Sequence, residues 1–307
     1  MRRKFGITPV LAGILGLTLC GMSHAATVTV NLGSAAGADV YGPLTTDPAG
    51  IPPSGLSAGS ATELSPVPTG WPTASTDTNL GSAVWITNPT LPPDTTSTSY
   101  SLFEDSFIPP CTASTMAGTL TTSANNSEMI YLNNVGVNAG GSAPSEADVT
   151  FTPIQGVNTL GFDVTTNGVT TTNPVGLIYN AVLTYTVPNV VWRPPLNTGR
   201  RILKYGSTLP IKFQLRTDAG RFLKTPQEVN LIITGPSGEL VGFSSGAGLK
   251  FARGNGQYLA VFHSKQYSMA AGVNYAINVV DSCSGTVLGT FPFQVTQPPT
   301  PHHHGKK

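Results

Sequence analysis

Lysine and arginine are missing from most of the first two thirds of this 307-residue chain: none occurs between Phe5 and Trp192. That stretch carries eleven carboxylates, from Asp39 to Asp163, against no cation, a net charge of −11. From Arg193 onward thirteen basic residues stand against four acidic ones, a net of +9. The total of +1 hides an acidic part and a basic part. Each sign solubilises its own surface, and opposite signs attract each other or different partners. Long apolar runs are absent as well. No segment offers roughly 18 unbroken apolar residues, which excludes a helical membrane span. There are no heptads, no amphipathic helix and no internal repeat.

The inventory for chemistry is equally thin. Histidine occurs at His24, His263 and the terminal run His302 to His304. Nucleophilic catalysis needs a base beside Ser or Cys, and the chain has one candidate base and no G-x-S-x-G. Glycoside hydrolysis needs two carboxylates across a cleft. Glu104 and Glu128 are present, but any β-protein with eleven acids offers some pair. Gly246-Ala247-Gly248 lies between strands, where a turn explains it. The chain is therefore expected not to be an enzyme and to need no cofactor. A short His tract such as His302 to His304 binds transition metals weakly, but calcium is the favoured ion: Asp94, Glu104 and Asp105 flank strands in the acidic part and offer the oxygen ligands a hard cation takes. No calcium-loop motif accompanies them. The basic residues are spread over many strands without the aromatic spacing of a nucleic-acid module, so no nucleic-acid partner is expected.

What is present begins with Arg2, Arg3 and Lys4, an apolar run from Val10 to Leu19, and Ser23-His24-Ala25. This is the pattern of a secretory signal cleaved between Ala25 and Ala26. It predicts an exported protein, extracellular, on the cell surface or periplasmic. Cys20 leaves with the signal. Cys111 and Cys283 remain, and an oxidising compartment permits their pairing if the fold brings them together.

Strand signals fill the rest. A first sandwich is predicted over 26–188, with Pro/Gly-rich loops to about residue 80. Strands follow at 83–87, 99–107, 115–122, 128–132, 148–152, 158–166 and 177–187, each β-branched or aromatic and bounded by Gly, Asn or Pro. In the last, Leu177, Tyr179, Ala181, Leu183, Tyr185 and Val187 share one face, a period of two. After a Pro-rich joint, residues 191–297 show about seven strands, the spacing of an immunoglobulin-like sandwich. In LPIKFQL (209–215), Leu209, Ile211, Phe213 and Leu215 point inward, with Pro210, Lys212 and Gln214 outward. Residues 298–307 read as a disordered His/Lys tail.

The second domain resembles the PxKF domain family of bacterial and archaeal secreted proteins. The resemblance rests on Lys204 to Leu215, with Pro210, Lys212 and Phe213 as its motif, on Asp218-Ala219-Gly220, and on Gly256-Gln257-Tyr258 and Leu288 to Phe291. It implies an extracellular β-sandwich module. Pro210 marks an edge strand, and Lys212 discourages strand addition there. The first domain resembles the galactose-binding-like jelly rolls of bacterial surface proteins. That resemblance rests on Ala83 to Ile86, Phe107-Ile108-Pro109, the 125–133 stretch, Gly156 to Leu160 and Asn173 to Tyr179. It implies glycan binding. Independently of the resemblance, the aromatics Trp71, Trp85 and Tyr100 are candidate sugar platforms, with Trp71 in a Pro-rich loop the better surface candidate and Trp85, in a strand, more often core. The fold expected is thus all-β, a jelly-roll sandwich followed by an immunoglobulin-like one. The function expected is a non-catalytic secreted or cell-surface binding or adhesion protein, with a glycan or other surface polymer as partner. The second reading is a structural surface or matrix component without a small ligand. Self-association through the acidic and basic halves is a further expectation.

Overall fold

The computed structural model describes residues 26–44, 59–89, 95–143, 145–169, 174–199 and 202–296. The signal stretch with Ala25, the tail 298–307 and Asp94 lie outside the described residues. The all-β expectation, two successive sandwiches, holds. Among the described residues the helical elements are three short 3-10 turns, at Thr78–Leu80, Leu196–Thr198 and Ser264–Gln266.

The first sandwich is built from β1 (Ala26–Gly33), β2 (Asp39–Leu44), β3 (Gly59–Ser60), β4 (Thr62–Glu63), β5 (Ile86–Thr87), β6 (Thr95–Phe107), β7 (Thr115–Ala124), β8 (Ser127–Leu132), β9 (Val135–Ala139), β10 (Ala147–Phe151), β11 (Asn158–Val169) and β12 (Leu177–Val187). One sheet runs β10-β7-β12-β5-β4, with β1 also paired to β12; the facing sheet runs β3-β2-β6-β11-β8-β9. Period two decides what lies between them. Leu177, Tyr179, Ala181, Leu183, Tyr185 and Val187 are all buried on one side of β12. They meet Phe103, Ile130, Leu160, Phe162 and Val164 of the other sheet. Phe162 and Tyr179 stack across the gap with ring centroids 4.4 Å apart.

The second sandwich comprises β13 (Asn189–Trp192), β14 (Ile202–Lys204), β15 (Thr208–Arg216), β16 (Val229–Gly235), β17 (Gly238–Ser245), β18 (Gly248–Ala252), β19 (Gln257–His263), β20 (Asn274–Asp281) and β21 (Val287–Thr296), hydrogen-bonded in the order β13-β15-β19-β18-β17-β16-β20-β21-β14. Ile211, Phe213 and Leu215 of β15 are fully buried. Phe213 stacks on its cross-strand partner Tyr258 at 4.8 Å, and Phe262 meets Phe293 edge-on at 6.5 Å. A Leu, Ile or Phe buried this completely contributes about 1.5–3 kcal/mol of transfer free energy.

Several local expectations are corrected. β2 lies inside the stretch read as loops, because Val40 reaches the core while Tyr41, on the other face, is buried against Leu102 of β6. β9, exposed at every position and so without an inward face to signal it, is an edge strand. Of residues 83–87 only Ile86 and Thr87 are strand. Gln214 is buried rather than outward: it accepts from Arg193 Nε and donates to the Asn255 carbonyl. Pro210 sits where β15 is paired to β19 alone, since β13 begins to pair at Phe213. At Lys212 the second edge is already used, its carbonyl accepting from Arg193 N–H at 2.9 Å.

The two sandwiches are joined twice. The chain passes directly from β12 to β13, and Cys111 and Cys283 form a disulfide, Cα–Cα 5.7 Å, across 172 residues. Beside the bridge, Asp281 is fully buried. Its Oδ2 accepts from Thr112 N–H at 2.8 Å. Its Oδ1 accepts from Cys283 N–H and Ser284 N–H, both at 3.0 Å, and from Ser284 Oγ at 3.1 Å. One carboxylate thus shapes the 281–286 turn and grips the 111–112 loop of the other sandwich. Asp281→Ala would orphan these buried donors, at a cost of about 2–4 kcal/mol, and is expected to lower the urea midpoint with the disulfide intact. Asp281→Asn is expected to fall between, because its amide places a donor against a donor. An unchanged midpoint for Asp281→Ala would show that the grip is incidental.

Candidate functional site

Among the described residues, the candidate calcium ligands Glu104 and Asp105 do not converge, and of the candidate aromatics Trp71 and Trp85 meet. Glu104 and Asp105 are neighbours on β6 and so point to opposite faces. Glu104 faces outward, opposite Asp39 of β2, with burial and then Asp39 raising its carboxyl above the usual range. Asp105 points inward, where its Oδ2 accepts from Tyr179 OH at 3.1 Å and burial raises its carboxyl. The calcium trio is therefore not assembled. Trp85 is core, 1% exposed, and Tyr100 lies on β6 of the other sheet. Trp85 is thus sealed beneath Trp71 rather than exposed beside it.

Trp71 itself is half-buried at one loop end of the first sandwich. Its ring lies 4.4 Å from that of Trp85, tilted by 45°. Trp85 Nε1–H donates to the Pro72 carbonyl at 2.6 Å, which anchors the loop. Gly176 makes the tryptophan pair fit: a Cβ there would stand 2.9 Å from Trp71 Cζ3 and 3.0 Å from Trp85 Cε3. Asn125 holds that segment, donating from its backbone to Gly176 O and from its side chain to Pro174 O. An open cavity of about 230 Å³ adjoins Trp85, lined also by Glu63, Leu64, Val67, Ala74 and Val84 among others.

The same loop cluster brings together two carboxyls that nothing in the sequence pairs. Asp77 caps the Thr78–Leu80 turn, accepting from Asn79 N–H at 2.7 Å. The turn is tied to β12 by Asn180 Nδ2, which donates to Asn79 O at 2.7 Å. Glu146, from the loop before β10, is hydrogen-bonded to Asp77. Burial and the Asp77 contact push the Glu146 carboxyl up to about 7, and the Glu146 hydrogen bond, followed by the Asn79 N–H, lowers Asp77. Below about pH 7 Glu146 therefore keeps a proton and donates it to Asp77. Two carboxyls that share a hydrogen bond leave no room between them for the sugar that a glycosidase pair flanks. The pair's arrangement suits hydrogen bonding to a polar ligand.

Two other groups carry chemistry. Cys111, Glu228 and Cys283 are the one trio among the described residues whose donor atoms lie within 4.8 Å of one another, but both sulfurs are used in the disulfide. Glu128 is buried on β8, its Oε2 accepting from Thr122 Oγ1 at 3.2 Å and a backbone bond coming from Gly141. Its Oε1 meets no partner, and it fills the space a Cβ at Gly140 would need, 1.6 Å away. Burial pushes Glu128 up to about 8.

No family model matches the chain, and no curated protein does. Solved structures do: the β-glucuronidase of Faecalibacterium prausnitzii, 10% identical with a TM-score of 0.33, covers 90% of this chain and 47% of its own. That of Bifidobacterium dentium, complexed with coumarin-3-O-glucuronide, is 9% identical with a TM-score of 0.32, covering 88% and 48%. The Ruminococcus gnavus enzyme is 11% identical with a TM-score of 0.30, covering 89% and 44%. The chain spans less than half the length of these chains. The expectation that it is not an enzyme is corrected by this finding, since the solved chains it is similar to are enzymes. At these scores the similarity gives no residue of this chain a role.

The Glu128 carboxyl yields a prediction. The unfolded chain loses this proton near pH 4.3, whereas the folded chain keeps it to about 8. With the folded value raised, this group's contribution to stability is greatest below pH 4.3 and declines through the window up to 8, by at most about 1.4 kcal/mol per unit. Glu128→Gln keeps the acceptor for Thr122 and removes the titration. Its stability advantage over the parent is expected to grow by a few kcal/mol, about 3, between pH 5 and 8 in urea unfolding. A pH-independent difference would refute the assignment.

Proposed function

We propose that this chain is an exported surface or extracellular protein that binds glycan through the Trp71 loop end of its first sandwich. The observation that carries the reading is a half-buried tryptophan packed on Trp85, whose loop runs on to Asp77, tied back by its N–H donating to Thr73 O at 2.8 Å, and so to the hydrogen-bonded pair Asp77 and Glu146. An aromatic ring supplies apolar area at little entropic cost, and carboxyls supply the few placed polar groups that orient a ligand. Export is supported by the signal-like N-terminus and by a disulfide between the remaining two cysteines, since such bridges persist in oxidising compartments. The PxKF-like second sandwich serves in this reading as an extracellular module that carries the first. A second reading, a structural surface component, is favoured by the split between −11 and +9, which promotes head-to-tail contact between copies.

A glycan array probed with the purified mature chain is the test. Bound glycans are expected, with Trp71→Ala weakening them at least tenfold and Asp77→Asn also weakening them. Binding that survives Trp71→Ala would move the site elsewhere. An empty array, with salt-sensitive self-association in sedimentation, would favour the structural component.

A further inference from the structure

The disulfide that clamps the sandwiches is set among carboxylates. Glu228 Oε2 lies 3.6 Å from Cys283 Sγ and 3.9 Å from Cys111 Sγ. Asp281 Oδ1 lies 3.5 Å from Cys111 Sγ. Both cysteines are only half-buried. A cleft of about 180 Å³ at the junction opens on Cys111 and is lined also by Thr112, Pro188, Asp218, Leu223 and Gln227. A small thiol therefore has a route to the bridge, through a cleft whose charged lining side chain is an aspartate.

We propose that Glu228 makes this bridge resistant to thiol exchange, so that the clamp stays closed in a medium containing small thiols. Exchange proceeds by attack of an external thiolate on one sulfur. On the open side, the thiolate bonds to Cys111 Sγ, the S–S bond breaks, and its electron pair leaves on Cys283 Sγ. The products are a mixed disulfide at Cys111 and a thiolate at Cys283, which takes a proton from water. The new negative charge appears 3.6 Å from Glu228 Oε2. Attack on Cys283 instead places the charge on Cys111, beside both Glu228 and Asp281. A poorer leaving thiolate slows the step, and Glu228 opposes it from either side. Its carboxylate, together with Asp218 in the cleft, also repels an anionic attacker before contact. Removing Glu228 charge leaves the local backbone in place, because the hydrogen bonds from Ser282 go to its main-chain carbonyl.

The test compares reduction rates of the folded full chain, read by intact mass after alkylation, with three thiols at equal thiolate concentration. These are cysteamine (cationic), 2-mercaptoethanol (neutral) and mercaptoethanesulfonate (anionic). The parent is expected to react in that order, fastest to slowest. Glu228→Gln is expected to react with 2-mercaptoethanol about 5- to 10-fold faster, the size of effect a unit charge exerts at this distance through bulk water, as suits an exposed carboxylate, and to narrow the spread among the three. Glu239→Gln, an equal charge change at an exposed position on β17, controls for net charge and is expected to match the parent. Equal rates for Glu228→Gln and parent, or equal acceleration by Glu239→Gln, would overturn the proposal. A Glu228→Gln chain with unchanged unfolding midpoint keeps the comparison free of a folding defect.

Discussion

Asp281 and the Cys111–Cys283 bridge fix how one sandwich sits on the other, and the remaining geometry is arranged around that junction. A single covalent crossing at β12 and β13 leaves a hinge. The bridge closes a loop of 172 residues, which in the chain-entropy description removes on the order of 5 kcal/mol of freedom from the unfolded chain. Asp281 then converts a tether into an orientation. Its carboxylate is buried with no cation and is instead met by three N–H groups and a hydroxyl, four directed bonds from both sides of the junction. The proposed exchange resistance of the bridge follows from the same placement of carboxylates.

The same shortage of cations shapes the first sandwich. With no lysine or arginine between Phe5 and Trp192, a buried acid there has no ion pair available to it. Three acids of this sandwich meet the shortage with a proton or a neutral donor. Glu128 stays protonated, Asp105 accepts from Tyr179 OH, and Asp77 accepts from Glu146. Two of these arrangements set groups titrating near neutrality, Glu146 at about 7 and Glu128 at about 8. They differ in access: Glu128 is sealed beneath Gly140, whereas Glu146 lies at the surface beside the Trp71 loop.

The strands with unbroken alternation were legible in the sequence. β12 and β15 bury the residues that period two assigns to the inner face, from Leu177 to Val187 and from Ile211 to Leu215. Short strands were not. β2 hides among glycines and prolines because a single residue, Val40, carries its inward face, and β9 has no buried residue to reveal it. The candidate calcium ligands failed on a rule the sequence already contained, since Glu104 and Asp105 are consecutive on a strand and diverge. Gln214 was misplaced because its partners, Arg193 and the Asn255 carbonyl, come from loops 21 and 41 residues away. The Asp77–Glu146 pair was beyond reach for the same reason: two loops far apart in sequence meet only because β12 and β10 flank β7.

The loop cluster around Trp71, the junction around Asp281 and the sealed carboxyl of Glu128 occupy separate places on one frame, and a fixed junction is what makes the frame one body. Small-angle X-ray scattering of the mature chain, before and after complete reduction of the bridge, tests that most directly. The account predicts a narrow distance distribution for the oxidised chain and, on reduction, a broader one with a larger maximum dimension. Superimposable curves, with both thiols shown to be free in the reduced sample, would contradict it.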